Sequence, residues 1–90
     1  VLAHALHADR GMAVDLGDDQ RVIELRLPAG LSGKSLGETQ MRQRFGLIVL
    51  AVKRAAQVIA TPGADFVFAD ADLLVVIGSQ RQIDIFCTVL

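Results

Sequence analysis

The residues whose types and spacing most resemble chemical equipment are Gly30-Leu31-Ser32-Gly33-Lys34-Ser35. Gly-Lys-Ser closes the loop that cradles nucleotide phosphates, but that motif also needs a glycine five residues before its second one. The chain has Pro28 at that position. Proline donates no amide to a phosphate, so the stretch reads as a loop leading into a helix cap. His4 and His7, with Asp9 nearby, sit at a spacing that presents two nitrogens on one side. Structural zinc takes four ligands, and the chain holds two histidines and one cysteine in all. These histidines therefore read as free side chains of a connector. Asp70 and Asp72 lie two apart before an apolar run, whereas a calcium loop requires several further oxygen ligands at fixed positions. They read as turn carboxylates. Cys87 falls in an apolar helical stripe with no histidine beside it, which suits a small hydrophobe better than a nucleophile. With no Ser-His-Asp set and no metal cluster to assemble, the chain is not expected to be an enzyme.

Binding without reaction is a different matter. Arg44, Lys53, Arg54 and Pro62 stand at the ends of apolar strands, where they could rim a cleft for an anionic ligand.

The elements that would position these residues follow from periodicity. Arg21 to Leu27 alternates Val22, Glu24 and Arg26 with Ile23, Leu25 and Leu27, a strand with one buried face. Ser35-Leu36-Gly37-Glu38 fits a capping box and opens a short helix. Leu36, Met41 and Phe45 are expected to share its inner face, and Gly46 to end it in a left-handed cap. Leu47 to Val52 is apolar throughout, Gln57 to Thr61 follows as a strand broken by Pro62-Gly63, and Asp72 to Ile77 is a further apolar run. Ser79 caps a final helix from Gln80 to Val89, with Ile83, Phe86 and Leu90 at helical spacing. The expected fold is an α+β sandwich, β-α-β-β-β-α, spanning residues 21–90. Residues 1–20, with a short helix over Leu2 to Ala8 and a turn at Gly17-Asp18-Asp19, read as a connector from an upstream domain.

Composition bounds the partners. The chain has 90 residues, 52% of them hydrophobic, and a net charge of −1 from nine basic and ten acidic side chains. It lacks the basic footprint of a nucleic-acid binder. Its longest apolar run, Phe45 to Val52, is stopped by Arg44 and Lys53, far short of the roughly 20 residues of a membrane span. The lone Cys87 fits a reducing compartment. Two strands apolar on both faces need more cover than one helical layer provides, and a second copy of the domain is the simplest cover.

Taken in order, Gly33-Lys34-Ser35-Leu36, Met41-Arg42 with Phe45-Gly46, Ile48 to Arg54, Thr61-Pro62 and Asp72 to Gly78 resemble the TrkA-C domain, the C-terminal lobe of RCK subunits. The chain departs from that pattern at Ala55 and Ala71, where glycines are usual, and at Gly37, where a longer side chain is usual. The resemblance implies a homodimeric regulatory lobe joined to an upstream Rossmann lobe, through which a higher ring assembly can form. It implies docking on a membrane cation channel or transporter from the cytoplasmic side, without insertion in the bilayer. In one branch such lobes are similar to receptors for cyclic di-AMP. Carried onto this chain, that site would draw on Leu36, Met41, Arg42, Gly46, Leu47 and Pro62, with Arg42 facing phosphates. Two other roles are compatible with the resemblance: a purely structural dimerisation lobe, and the same lobe appended to another transporter or a transcription regulator.

Overall fold

The computed structural model describes residues 10–89. The elements run β1 (Arg10–Gly17), β2 (Gln20–Arg26), α1 (Leu36–Thr39), a π-helical turn (Met41–Phe45), β3 (Ile48–Arg54), β4 (Gln57–Ala60), β5 (Leu73–Gly78) and α2 (Gln80–Val89). The five strands form one sheet in the order β1-β2-β5-β3-β4, and each neighbouring pair is antiparallel.

Register decides the core. Ile23 stands opposite Val76 and Leu25 opposite Leu74, while Val49 and Val52 meet the same two residues from the other side of β5. All six are buried on one face, as the period-two alternation of β2 requires. Ile83 and Phe86 of α2 and Met41 and Phe45 of the turn join them in one cluster. Phe45 meets Phe86 edge to face at 5.2 Å, a preferred aromatic geometry. The opposite face carries Val14, Val22, Ile48, Val58 and Ile77. Val58 is 62% exposed and Ile48 45%, while the ion pair between Lys53 and Glu24 screens the centre.

The α+β class stands, with one strand more than the sequence suggests. Residues 1–20 read as a connector, yet Arg10–Gly17 pairs with β2 as an edge strand. Gly17 faces Gln20 across a two-residue loop, in which Asp18 and Asp19 both have positive φ. That is the type I′ geometry which suits the twist of a hairpin, and aspartate tolerates it. The helix expected over Leu2 to Ala8 and the histidines His4 and His7 lie outside the described residues.

The helix opened by Ser35 is also shorter than expected. Five residues along an uninterrupted α-helix turn the chain about 140° off the starting face, so Leu36 and Met41 cannot share a side. Gln40 resolves this by entering the left-handed region at φ 49°, and the chain resumes as a π-helical turn that buries Met41 and Phe45. Cys87, expected within the apolar stripe of α2, is exposed. The buried stripe is centred between Ile83 and Phe86, and Cys87 lies about 70° round the helix from that centre.

Candidate functional site: an apolar cleft at the head of β3

The local sequence builds this cleft from hydrogen bonds of short reach. The Ser35 amide donates to Glu38 Oε1 at 2.8 Å, and the Glu38 amide donates to Ser35 Oγ at 3.2 Å. The capping box is therefore closed as its residues suggest. The Ser35 amide bond first, and then the Ser35 hydroxyl acting on the carboxyl, hold Glu38 below its ordinary range against the opposing pull of burial. Residues 63–68 return alongside residues 33–37. Leu36 N donates to Phe66 O and Gly37 N to Ala64 O, both at 2.8 Å, and Phe68 N donates to Lys34 O at 2.9 Å.

That return explains Gly37. A Cβ there would lie 3.1 Å from the Ala64 carbonyl oxygen and 3.3 Å from Ala64 Cβ. Glycine lets the two backbones approach, and together they make a wall with almost no side chain. At the other end of the turn, Gly46 adopts φ 71° as the left-handed cap, and a side chain there would collide with the Gln82 amide.

Between these features lies a cleft of about 250 Å³, lined by Leu36, Gly37, Met41, Arg42, Gln43, Leu47, Ile48, Val49 and Ala64. Its floor is apolar, with Met41, Leu47 and Val49 buried. Its two long polar side chains are Arg42 and Gln43, both exposed. Chemically this is a greasy slot with one cation and one amide at its edge.

Of the six residues expected at a ligand site, Leu36, Met41, Arg42 and Leu47 line this cleft, while Gly46 and Pro62 are outside its lining. Arg44, Lys53, Arg54 and Pro62, expected at the rim of a cleft, do not line this one. Arg44 stacks over the Phe45 ring at 5.0 Å, and Lys53 pairs with Glu24. Arg54 clamps Asp72 and donates to the Val67 carbonyl at 3.0 Å.

Gln43, Ile48 and Val49 were within reach of a sequence reading, since they adjoin Arg42 and Leu47. Ala64 carried no signal; only the return of residues 63–68 brings it there. Among the described residues, no group of three or more His, Cys, Asp or Glu is placed to hold a metal. No helix among them is long and apolar enough to cross a membrane.

A model of the TrkA-C domain matches residues 22–90. The Ktr system potassium uptake protein C of Bacillus subtilis (strain 168) is 29% identical over 92% of this chain and 44% of its own length. The chain thus spans less than half of that curated relative. The RCK C domain of the potassium transport protein KtrA, solved in complex with cyclic di-AMP, superposes with a TM-score of 0.77 at 24% identity, over 83% of this chain and 88% of that one. The RCK_C domain dimer of S. agalactiae BusR, also in complex with cyclic di-AMP, gives 0.66 at 22% identity, over 72% of this chain and 83% of that one. At these identities the structural likeness is one of fold.

Proposed function

The chain belongs to the TrkA-C domain family, and on that premise we propose that it is the ligand-sensing, dimerising lobe of a potassium-transport regulator, with cyclic di-AMP held between two copies. The observation that carries this reading is the apolar cleft with Arg42 at its edge. Small-molecule pockets run from about 300 to 1,000 Å³. At about 250 Å³ one cleft falls short of that range, whereas two of them facing across a two-fold axis would reach it. A ligand with its own two-fold symmetry, two bases and two phosphates, suits such a pair of half-sites. Arg42 and its mate then meet the phosphates, where charge-assisted hydrogen bonds are strongest.

Regulation follows from linkage. The ligand shifts the lobe between dimer arrangements only by its difference in affinity for them. β1, hydrogen-bonded along β2, is the described segment through which a change in the sheet would pass toward the N-terminal side. On this reading the lobe works in the cytoplasm, beside a membrane cation transporter and outside the bilayer. Titration calorimetry with cyclic di-AMP is the test. One ligand per two chains is expected, together with thermal stabilisation of the domain. The absence of both heat and stabilisation would refute the ligand assignment.

A further inference from the structure

We infer that Gln43 sets the base preference of the cleft, reading adenine in preference to guanine; this rests on the cyclic dinucleotide reading above. The argument starts from how few polar groups the cleft has. Apart from Arg42 and Gln43, its lining is aliphatic, glycine or alanine. A planar base can lie on the floor of Met41, Leu47 and Val49, against the flat wall that Gly37 and Ala64 leave. Such a surface holds any base equally, so discrimination falls to the edge.

Arg42 and Gln43 are adjacent on the π-helical turn. Both line the cleft, and consecutive residues on a helical turn do not face each other, so the two side chains are free to serve different groups. The cation goes to the phosphate. The amide is left for the base. A glutamine amide carries both a donor and an acceptor, which matches the N7 acceptor and N6 donor of adenine. Guanine presents two acceptors, O6 and N7, on the same edge, and the amide can satisfy only one of them.

Gln43 is exposed, so truncating it leaves the core intact. The experiment is calorimetric titration of the chain with cyclic di-AMP and with cyclic di-GMP, for the wild type, Gln43→Ala, Gln43→Glu and an Arg44→Ala control that lies off the cleft. The wild type is expected to prefer cyclic di-AMP. Gln43→Ala should lose roughly tenfold to hundredfold in affinity for cyclic di-AMP while cyclic di-GMP changes little. Gln43→Glu, which accepts from N6 but cannot donate to N7, should also bind cyclic di-AMP more weakly without gaining cyclic di-GMP, and Arg44→Ala should keep the wild-type preference. An unchanged ratio in Gln43→Ala, or an equal loss for both dinucleotides, overturns the role of Gln43 and leaves the cyclic dinucleotide reading standing. A wild type that binds neither dinucleotide removes that reading, and the role of Gln43 with it.

Discussion

Arg54 grips Asp72 with both ends of its guanidinium fork, Nε donating to Oδ1 at 2.8 Å and Nη2 to Oδ2 at 2.7 Å. Asp72 is fully buried at the start of β5, and Oδ2 also accepts from the Ala69 amide at 2.9 Å. The Arg54 guanidinium in turn sits over the Phe66 ring at 5.0 Å. One carboxylate therefore ties the end of β3, the 63–68 return and the start of β5 together, which is the frame behind the cleft wall.

Asp72→Ala should lower stability by about 2 kcal/mol, since a hydrogen bond to a charged group contributes about 1.5–3 kcal/mol net of water. Urea unfolding of the two proteins measures this. Equal midpoints would show that the clamp is decorative.

The same carboxylate predicts a pH dependence. The Arg54 hydrogen bonds hold the Asp72 carboxyl below its ordinary range; burial pushes it the other way, and the Ala69 amide adds to the lowering. A depressed folded value means that the unfolded chain takes up the proton first. The stabilisation is therefore present above the unfolded value of about 3.9, and it disappears as pH falls through the lower folded value. Wild type should lose its advantage over Asp72→Asn progressively as pH is lowered from neutrality through and below the unfolded value of about 3.9. A difference in unfolding midpoint that stays constant over that range would contradict the assignment.

Ala55 and Ala71 stand where the family pattern favours glycine, and the structure gives the reason. Ala55 has φ 57° and Ala71 φ 70°. Ala55 and Ala56 form the two-residue loop between paired Arg54 and Gln57, and a positive φ at the first loop residue is the type II′ position that glycine prefers. The left-handed conformation costs an L-residue about 1–2 kcal/mol, and the extra entropy that glycine loses takes back about 0.5–1 kcal/mol. Ala55→Gly and Ala71→Gly should each raise stability by about 0.5–1 kcal/mol by thermal or chemical unfolding. A fall in either would mean that strain at that turn is relieved in some other way.

Arg42→Ala should weaken cyclic di-AMP binding at least tenfold with little change in unfolding temperature, because Arg42 is exposed and charge-assisted hydrogen bonds to phosphate are the strong ones. Calorimetry beside a thermal melt separates the two quantities. Unchanged affinity would point to a purely structural dimerisation lobe. Light scattering at micromolar concentration should find a dimer, and a stable monomer would sink the paired half-site.

Much of the molecule is legible without coordinates wherever the deciding contacts are local. The alternation of β2 exposes its buried face because side-chain period is a property of the strand itself. The Ser35–Glu38 box and the left-handed Gly46 follow from residues three or fewer positions apart or from one residue's own φ. The departures have the same origin. Composition suggests one face for Leu36, Met41 and Phe45, yet helix geometry sets Leu36 apart from the other two, and only the break at Gln40 brings them together. β1 carries a short alternation, Met12, Val14 and Leu16 against Ala13, Asp15 and Gly17, but what holds it as a strand is the hydrogen-bonding edge of β2.

The sequence by itself determined a small α+β domain of the TrkA-C type, its capped turn, its left-handed glycine and an arginine beside apolar residues. Tertiary structure alone decided that Gly37 and Ala64 form one wall, that Arg54 serves Asp72 and not the cleft, and that Gln43 joins Arg42 at its edge. The first group rests on hydrogen bonds and rotational periods that close within a few residues. The second depends on segments far apart in the chain, such as residues 33–37 and 63–68, being brought side by side, and no local pattern records that approach.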